Sequence, residues 1–134
     1  MSSQYQVFKV ILVCLILQIV LSKSARNIPG GPQPIPVDSS EVQEYAKKGL
    51  TKFSSTYQGT NEPVIAEIIS ASRKVVSGTL YEISVRFGES NCPKGQYGET
   101  CLLAENGPIK ECLITAWSRP WLEEDSLTID VKCD

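Results

Sequence analysis

The chain changes its hydrophobic period once, and that change narrows the fold it can adopt. In "VDSSEVQEYAKKGLTKFSS", Val42, Tyr45, Ala46, Gly49, Leu50 and Phe53 fall at i, i+3, i+4, i+7, i+8 and i+11. That is the spacing of one face of an amphipathic helix. After the polar break "TYQGTNEP" the period becomes two. "VIAEIISASRKVV" is rich in β-branched residues, and in "LYEISVRF" Tyr81, Ile83, Val85 and Phe87 alternate with Glu82, Ser84 and Arg86. "IKECLITAW" and "SLTIDVKC" supply a third and a fourth strand. Alternation of this kind marks antiparallel strands with one wet face. One helix followed by meandering strands predicts an α+β domain, the helix covering one face of the sheet.

Two details of the helix carry expectations of their own. Ser40, with Gln43 three residues on, has the spacing of a capping box. Gly49 on the apolar face costs about 1 kcal/mol relative to alanine, which makes sense where a sheet crosses the helix closely. A third detail concerns a turn. "RKVVSGTLYEISV" holds two apolar runs joined by Ser-Gly, so it reads as a hairpin, yet Val75 and Val76 sit at its lip.

The amino terminus is not domain material. Lys9 precedes "VILVCLILQIVL", residues 10–21, in which only Gln18 is polar. This run is shorter than the about 20 apolar residues that span a bilayer. It matches the apolar region of a secretory leader, with a basic residue before it and small residues after it. Residues 1–24 are therefore expected to be a signal peptide, cut after Ser24 or after Ser22, and 25–134 the mature domain. Residues 25–37, "ARNIPGGPQPIPV", carry four prolines and the adjacent Gly30 and Gly31. They are expected to form an extended, flexible segment that joins neither a helix nor a central strand.

Cleavage would remove Lys9 and Lys23 and take the formal net charge from −2 to −4. No block of Lys or Arg points to a nucleic acid or an anionic membrane as partner. Cys14 would leave as well, so that Cys92, Cys101, Cys112 and Cys133 remain. An even count in a small secreted chain reads as a disulfide framework, with three pairings open. The chain has no histidine and no Cys-x-x-Cys pair, so neither a metal nor a cofactor is expected.

Catalysis finds no support. Without histidine there is no Ser-His-Asp or Cys-His nucleophilic set, and no glycine-rich loop precedes a helix to cradle phosphate. Glu123, Glu124 and Asp125 read as a solvated loop. What remains is surface. Ile28-Pro29-Gly30-Gly31, Val75-Val76-Ser77-Gly78 and Pro120-Trp121 put apolar or backbone-flexible residues where folding does not require them. Clustered exposed apolar groups mark binding sites, and tryptophan is a preferred anchor in them.

These residues resemble a known family. "KVVSG", Lys74 to Gly78, resembles the Gln-x-Val-x-Gly motif of cystatins, the inhibitors of papain-like cysteine peptidases. "PW", Pro120-Trp121, is similar to the second hairpin motif of the secreted members, and Gly30-Gly31 to their amino-terminal glycine and its neighbour. The four cysteines resemble the two-disulfide pattern of type 2 cystatins. The resemblance runs in order through the whole mature chain. It implies a cystatin-like α+β fold: one long helix across a curved antiparallel sheet, with disulfides Cys92–Cys101 and Cys112–Cys133. It also implies a secreted, tight-binding, reversible and competitive inhibitor of cathepsin-type peptidases, with no enzymatic activity. The cleft would be blocked by a wedge of Ile28, Pro29, Gly30 and Gly31, of Lys74, Val75, Val76, Ser77 and Gly78, and of Pro120 and Trp121.

The chain departs from the family's pattern in two places. Lys74 replaces the usual glutamine, a donor and acceptor, by a charged donor alone. Pro29 is stiff where many papain-like enzymes accept an aliphatic or aromatic group. Both point to selectivity. Some family members also inhibit legumain through an asparagine after the helix, and Asn61 is the candidate here, set against an ordinary polar turn residue. The expected state is a monomer, with a domain-swapped dimer compatible with the Val-Val tip. An alternative is a non-inhibitory secreted binding module or immunomodulatory effector on the same fold. A third reading buries Trp121 and the valines in the core, but Pro120 argues against it. Trp117, on the third strand, is expected to be the more buried of the two tryptophans.

Overall fold

The computed structural model describes residues 2–21, 31–96, 98 and 100–134. Its elements run α1 (Ser2–Leu21), β1 (Gln33–Ile35), α2 (Ser40–Thr56), β2 (Asn61–Val76), β3 (Gly78–Pro93), β4 (Ile109–Ser118) and β5 (Leu127–Cys133). Helix α1 carries the leader-like run, and residues 3–15 along it are all exposed. Among the described residues no helix is long and apolar enough to cross a membrane.

Helix α2 forms where the period places it. Val42, Ala46 and Gly49 are buried, and Tyr45, Leu50 and Phe53 are half-buried. Its cap differs from the expected box by one residue. Ser39, in extended conformation, is the N-cap, and its hydroxyl accepts from the Val42 amide at 3.4 Å. Gln43 does not reach back to the cap; its amide donates to the Val37 carbonyl at 2.8 Å. Two adjacent serines offer the same side chain, and the turn at Pro36–Ser39 selects the first by bringing the Ser39 amide onto the Pro36 carbonyl.

The sheet has the order β1-β2-β3-β4-β5, each pair antiparallel. β2 and β3 are each 16 residues long, and their register shifts at Asn61/Pro63, Ile65/Glu67 and Ile68/Ser70. Such bulges bend the strand that carries them and increase its twist. The helix-facing row of β3 is the predicted one: Tyr81, Ile83, Val85 and Phe87 are all buried. With Val42, Ala71, Cys112 and Ile114, most of that row forms the core. Phe53 stacks on Phe87 with ring centroids 4.6 Å apart. Gly49 lies where α2 crosses β4, and a Cβ there would overlap the side chain of Ile114.

Two expectations are corrected. The segment 25–37 is not wholly loose: Gln33, Pro34 and Ile35 pair with Arg73, Ser72 and Ala71 as a fifth strand. Ile35 packs against the core, and Pro34 is tolerated because β1 is an edge, where a missing N–H can face solvent. The second strand is also longer than the alternation in "LYEISVRF" marks, since β3 runs on to Pro93 opposite Asn61. Both disulfides follow the sequential pairing. Cys92–Cys101 has a Cα–Cα distance of 5.5 Å, and Cys112–Cys133 joins residues directly opposite on β4 and β5 at 4.1 Å.

The far end of α2 is tied down by a buried carboxylate. Glu62 is 4% exposed; it accepts from the Ser54 hydroxyl, and its second oxygen takes the Gly95 amide at 2.9 Å.

Candidate functional site

The first hairpin is as tight as a chain allows. Val76 pairs with Gly78, leaving Ser77 alone at the tip. Gly78 has φ +93°, a region that residues with a Cβ rarely adopt. A Cβ there would also strike the Ser118 carbonyl. The valines at the lip are not a misplaced core: Val75 is 76% exposed and Val76 41%.

The second hairpin connects β4 to β5. The Arg119 amide donates to the Ser126 carbonyl at 2.6 Å, and the Leu122 amide to the Arg119 carbonyl at 3.0 Å. Pro120 therefore occupies the first central position of a β-turn, where its fixed φ is favourable. Trp121 projects from this turn and is 59% exposed. Asp125 completes the loop in the left-handed region at φ 54°, which Asp tolerates better than most residues.

Strand register brings these pieces to one end of the sheet. Thr79 lies opposite Ser118, and Ser118 opposite Leu127, so both hairpins emerge side by side. β1 enters from the same end, because Gln33 pairs with Arg73 near the first tip. Gly31, half-buried, stands just before that strand. Ile28, Pro29 and Gly30 lie outside the described residues.

The base of the first hairpin is braced. The Tyr81 hydroxyl donates to Glu41 on the first turn of α2 at 3.1 Å, and Arg73 lies 3.9 Å from the same carboxylate. Burial, then the Glu41 bond and charge, push the Tyr81 phenol up, and Arg73 partly offsets them. Lys74, the departure from the family's glutamine, points back along the sheet to Glu82 at 4.0 Å. An exposed pair of this kind contributes little stability.

One feature was not read from the sequence. Trp117, the more buried of the two tryptophans as expected, donates its indole N–H to the Ser77 carbonyl at 2.9 Å. The guanidinium of Arg119 lies over the Trp117 ring, 3.7 Å from its centroid. Only the register that sets Trp117 opposite Leu80 brings these groups to the first tip.

Asn61 is elsewhere. It opens β2 at the opposite end of the sheet, and its side-chain amide donates to the Ser90 carbonyl at 2.8 Å. A groove of about 630 Å³ lined by Lys52, Phe53, Tyr57, Lys110 and Val131 also lies away from the hairpin tips.

Comparison with known proteins decides the family. A family model described as the cystatin domain matches residues 30–121, a stretch that begins at the first candidate glycine and ends at Trp121. The chain belongs to the cystatin family. This cystatin is 30% identical over 129 residues to Cystatin-C of Paralichthys olivaceus, with 91% of this chain and 98% of that one covered. It is 27% identical over 125 residues to Cystatin-1 of Chilobrachys guangxiensis, covering 90% and 92% of the two chains. Among solved structures, that of Al-CPI superposes with a TM-score of 0.70 at 25% identity, covering 78% of this cystatin and 98% of its own chain. Cystatins are reversible, non-catalytic inhibitors of papain-like cysteine peptidases, and this member is a secreted, extracellular protein.

Proposed function

We propose that this cystatin, once residues 1–24 are removed, inhibits papain-like cysteine peptidases tightly and competitively by filling the active-site cleft with three segments. The amino-terminal segment at Ile28–Gly31 would lie along the non-primed side like a substrate, displaced so that no scissile bond meets the catalytic thiol. Val75, Val76 and Ser77, with Lys74 and Gly78 framing them, would enter the primed side beside Pro120 and Trp121. The observation that carries the reading is the exposure of two valines and a tryptophan at one end of the sheet, beside the start of β1. Exposed apolar groups gathered in this way favour a partner. Hairpin tips held by a sheet lose little ordering entropy on binding. No covalent step is needed, so inhibition is reversible. Asn61 as a second, legumain-directed site has less support, because its side chain already serves Ser90.

The test is a competitive titration of the secreted chain against active-site-quantified papain-like cathepsins, beside Trp121→Ala and a chain starting at Pro32. Tight inhibition by the parent, weakened at least about thirtyfold by Trp121→Ala and also by truncation, is expected. A folded, disulfide-paired parent that inhibits none of these enzymes would sink the reading and turn attention to a non-peptidase partner.

A further inference from the structure

We propose that Trp117 is a positioning residue for the first hairpin tip, and that Arg119 holds its indole in place. The consequence for inhibition rests on the function proposed above; the geometry does not. Ser77 is the one residue between two long strands, and an exposed carbonyl at such a tip is ordinarily left to water. Here it accepts the Trp117 indole N–H, a group that can only donate, across the face of the sheet directed away from α2. Arg119 covers the other side of this link. Its guanidinium stands well inside the about 6 Å range of a cation–π contact, at 3.7 Å from the ring centroid. Its Nε is buried without a hydrogen-bond partner among the described residues. Stacking on the ring, not hydrogen bonding of Nε, therefore sets the side chain's position.

The same residue is part of the second tip. The Arg119 amide and carbonyl carry the two hydrogen bonds that shape the Pro120–Trp121 turn. Its stem also flanks Gly78, where a Cβ would come within 3.0 Å of Arg119 Cγ. A continuous line of contacts thus runs from the Trp121 turn through Arg119 and Trp117 to Ser77. The two tips are coupled as one preorganised surface, so that an enzyme cleft meets both in fixed relation.

The experiment uses the full chain, expressed for secretion and harvested from the medium, with Trp117→Phe, Arg119→Met and Arg119→Lys beside it. Phenylalanine keeps a ring for Arg119 but removes the N–H; methionine keeps the stem but removes the cation; lysine keeps the cation. Relaxation of the backbone amides at residues 75–78 is measured in each free protein, together with inhibition constants against papain. Trp117→Phe and Arg119→Met are expected to broaden those amides and weaken inhibition about five- to twentyfold. Arg119→Lys should stay within about twofold of the parent. Unchanged amides and unchanged inhibition in Trp117→Phe overturn the proposal. So does an equal loss in all three variants that merely follows their unfolding midpoints. If the parent does not inhibit, the proposed function fails on its own, and the relaxation of residues 75–78 in Trp117→Phe still decides for or against the clamp.

Discussion

Thr79 lies directly opposite Ser118, and this single pair sets both hairpin tips of the molecule at one level. A register slip of one residue would turn every side chain of β4 to the other face of the sheet. It would expose Ile114 and Ala116 and bury Trp117. The candidate site and the core are therefore specified by the same alignment.

Gly78→Ala tests how tightly that alignment is held. The substitution places a Cβ at φ +93° and against the Ser118 carbonyl. It should cost about 1–3 kcal/mol, seen as a lower urea midpoint with an unchanged m-value. An unchanged midpoint would mean that the tip relaxes freely, contrary to a braced hairpin.

Gly49→Ala is expected to destabilise although alanine is the better helix former by about 1 kcal/mol. The added methyl overlaps Ile114, and its nearest clash is with Cδ1. Ile114→Val removes that atom. Cγ1 and Cγ2 stay at 2.7 and 3.0 Å from the added methyl, so the relief is partial, and the double variant should lose less stability than the sum of the two single losses. Strict additivity of the two changes in thermal denaturation would refute the contact.

Glu62→Ala should cost about 1–3 kcal/mol, because it strands the buried Ser54 hydroxyl and takes the acceptor from the exposed Gly95 amide. Glu62→Gln retains an acceptor and should lose less than half as much. Guanidinium titrations of the two variants separate hydrogen bonding from side-chain volume.

Alkaline pH should weaken the fold through Tyr57. Burial, then its hydrogen bond to Glu89 and that residue's charge, push the phenol up to about 12 from an ordinary 10. The folded state thus holds the proton more tightly than the unfolded chain. This contribution is complete below pH 10 and fades as pH rises toward 12. Tyr57→Phe removes the titrating group, so its stability should decline less steeply between pH 9 and pH 11.5, as read by denaturation at fixed pH steps. Parallel declines would assign the alkaline loss to other groups.

The helix face, the strand alternation and the exposed valines were legible because each is a local pattern: Val42 to Phe53 at a helical period, and Tyr81 to Phe87 at a period of two. β1 was not, since three residues centred on Pro34 have no period to read and form a strand only because Ile35 finds the core. The cap was off by one because Ser39 and Ser40 are chemically identical and only the preceding turn distinguishes them. Trp117 looked like an ordinary strand residue, and its bond to Ser77 depends on a partner 40 positions away. Asn61 looked available from its place after the helix. Its occupation by Ser90 depends on β3 running on past Gly88.

Pro34 also governs what the sheet does in company. Pro32, Pro34 and Pro36 take alternate positions along the β1 edge, so the row facing outward there has no N–H to offer. A strand from another molecule would find acceptors on that side but nothing to donate to its own carbonyls, whereas β5 leaves an ordinary row of both. The guard reaches only as far as β1 itself, over Ala71, Ser72 and Arg73 of β2; along that stretch an incoming strand gains acceptors alone.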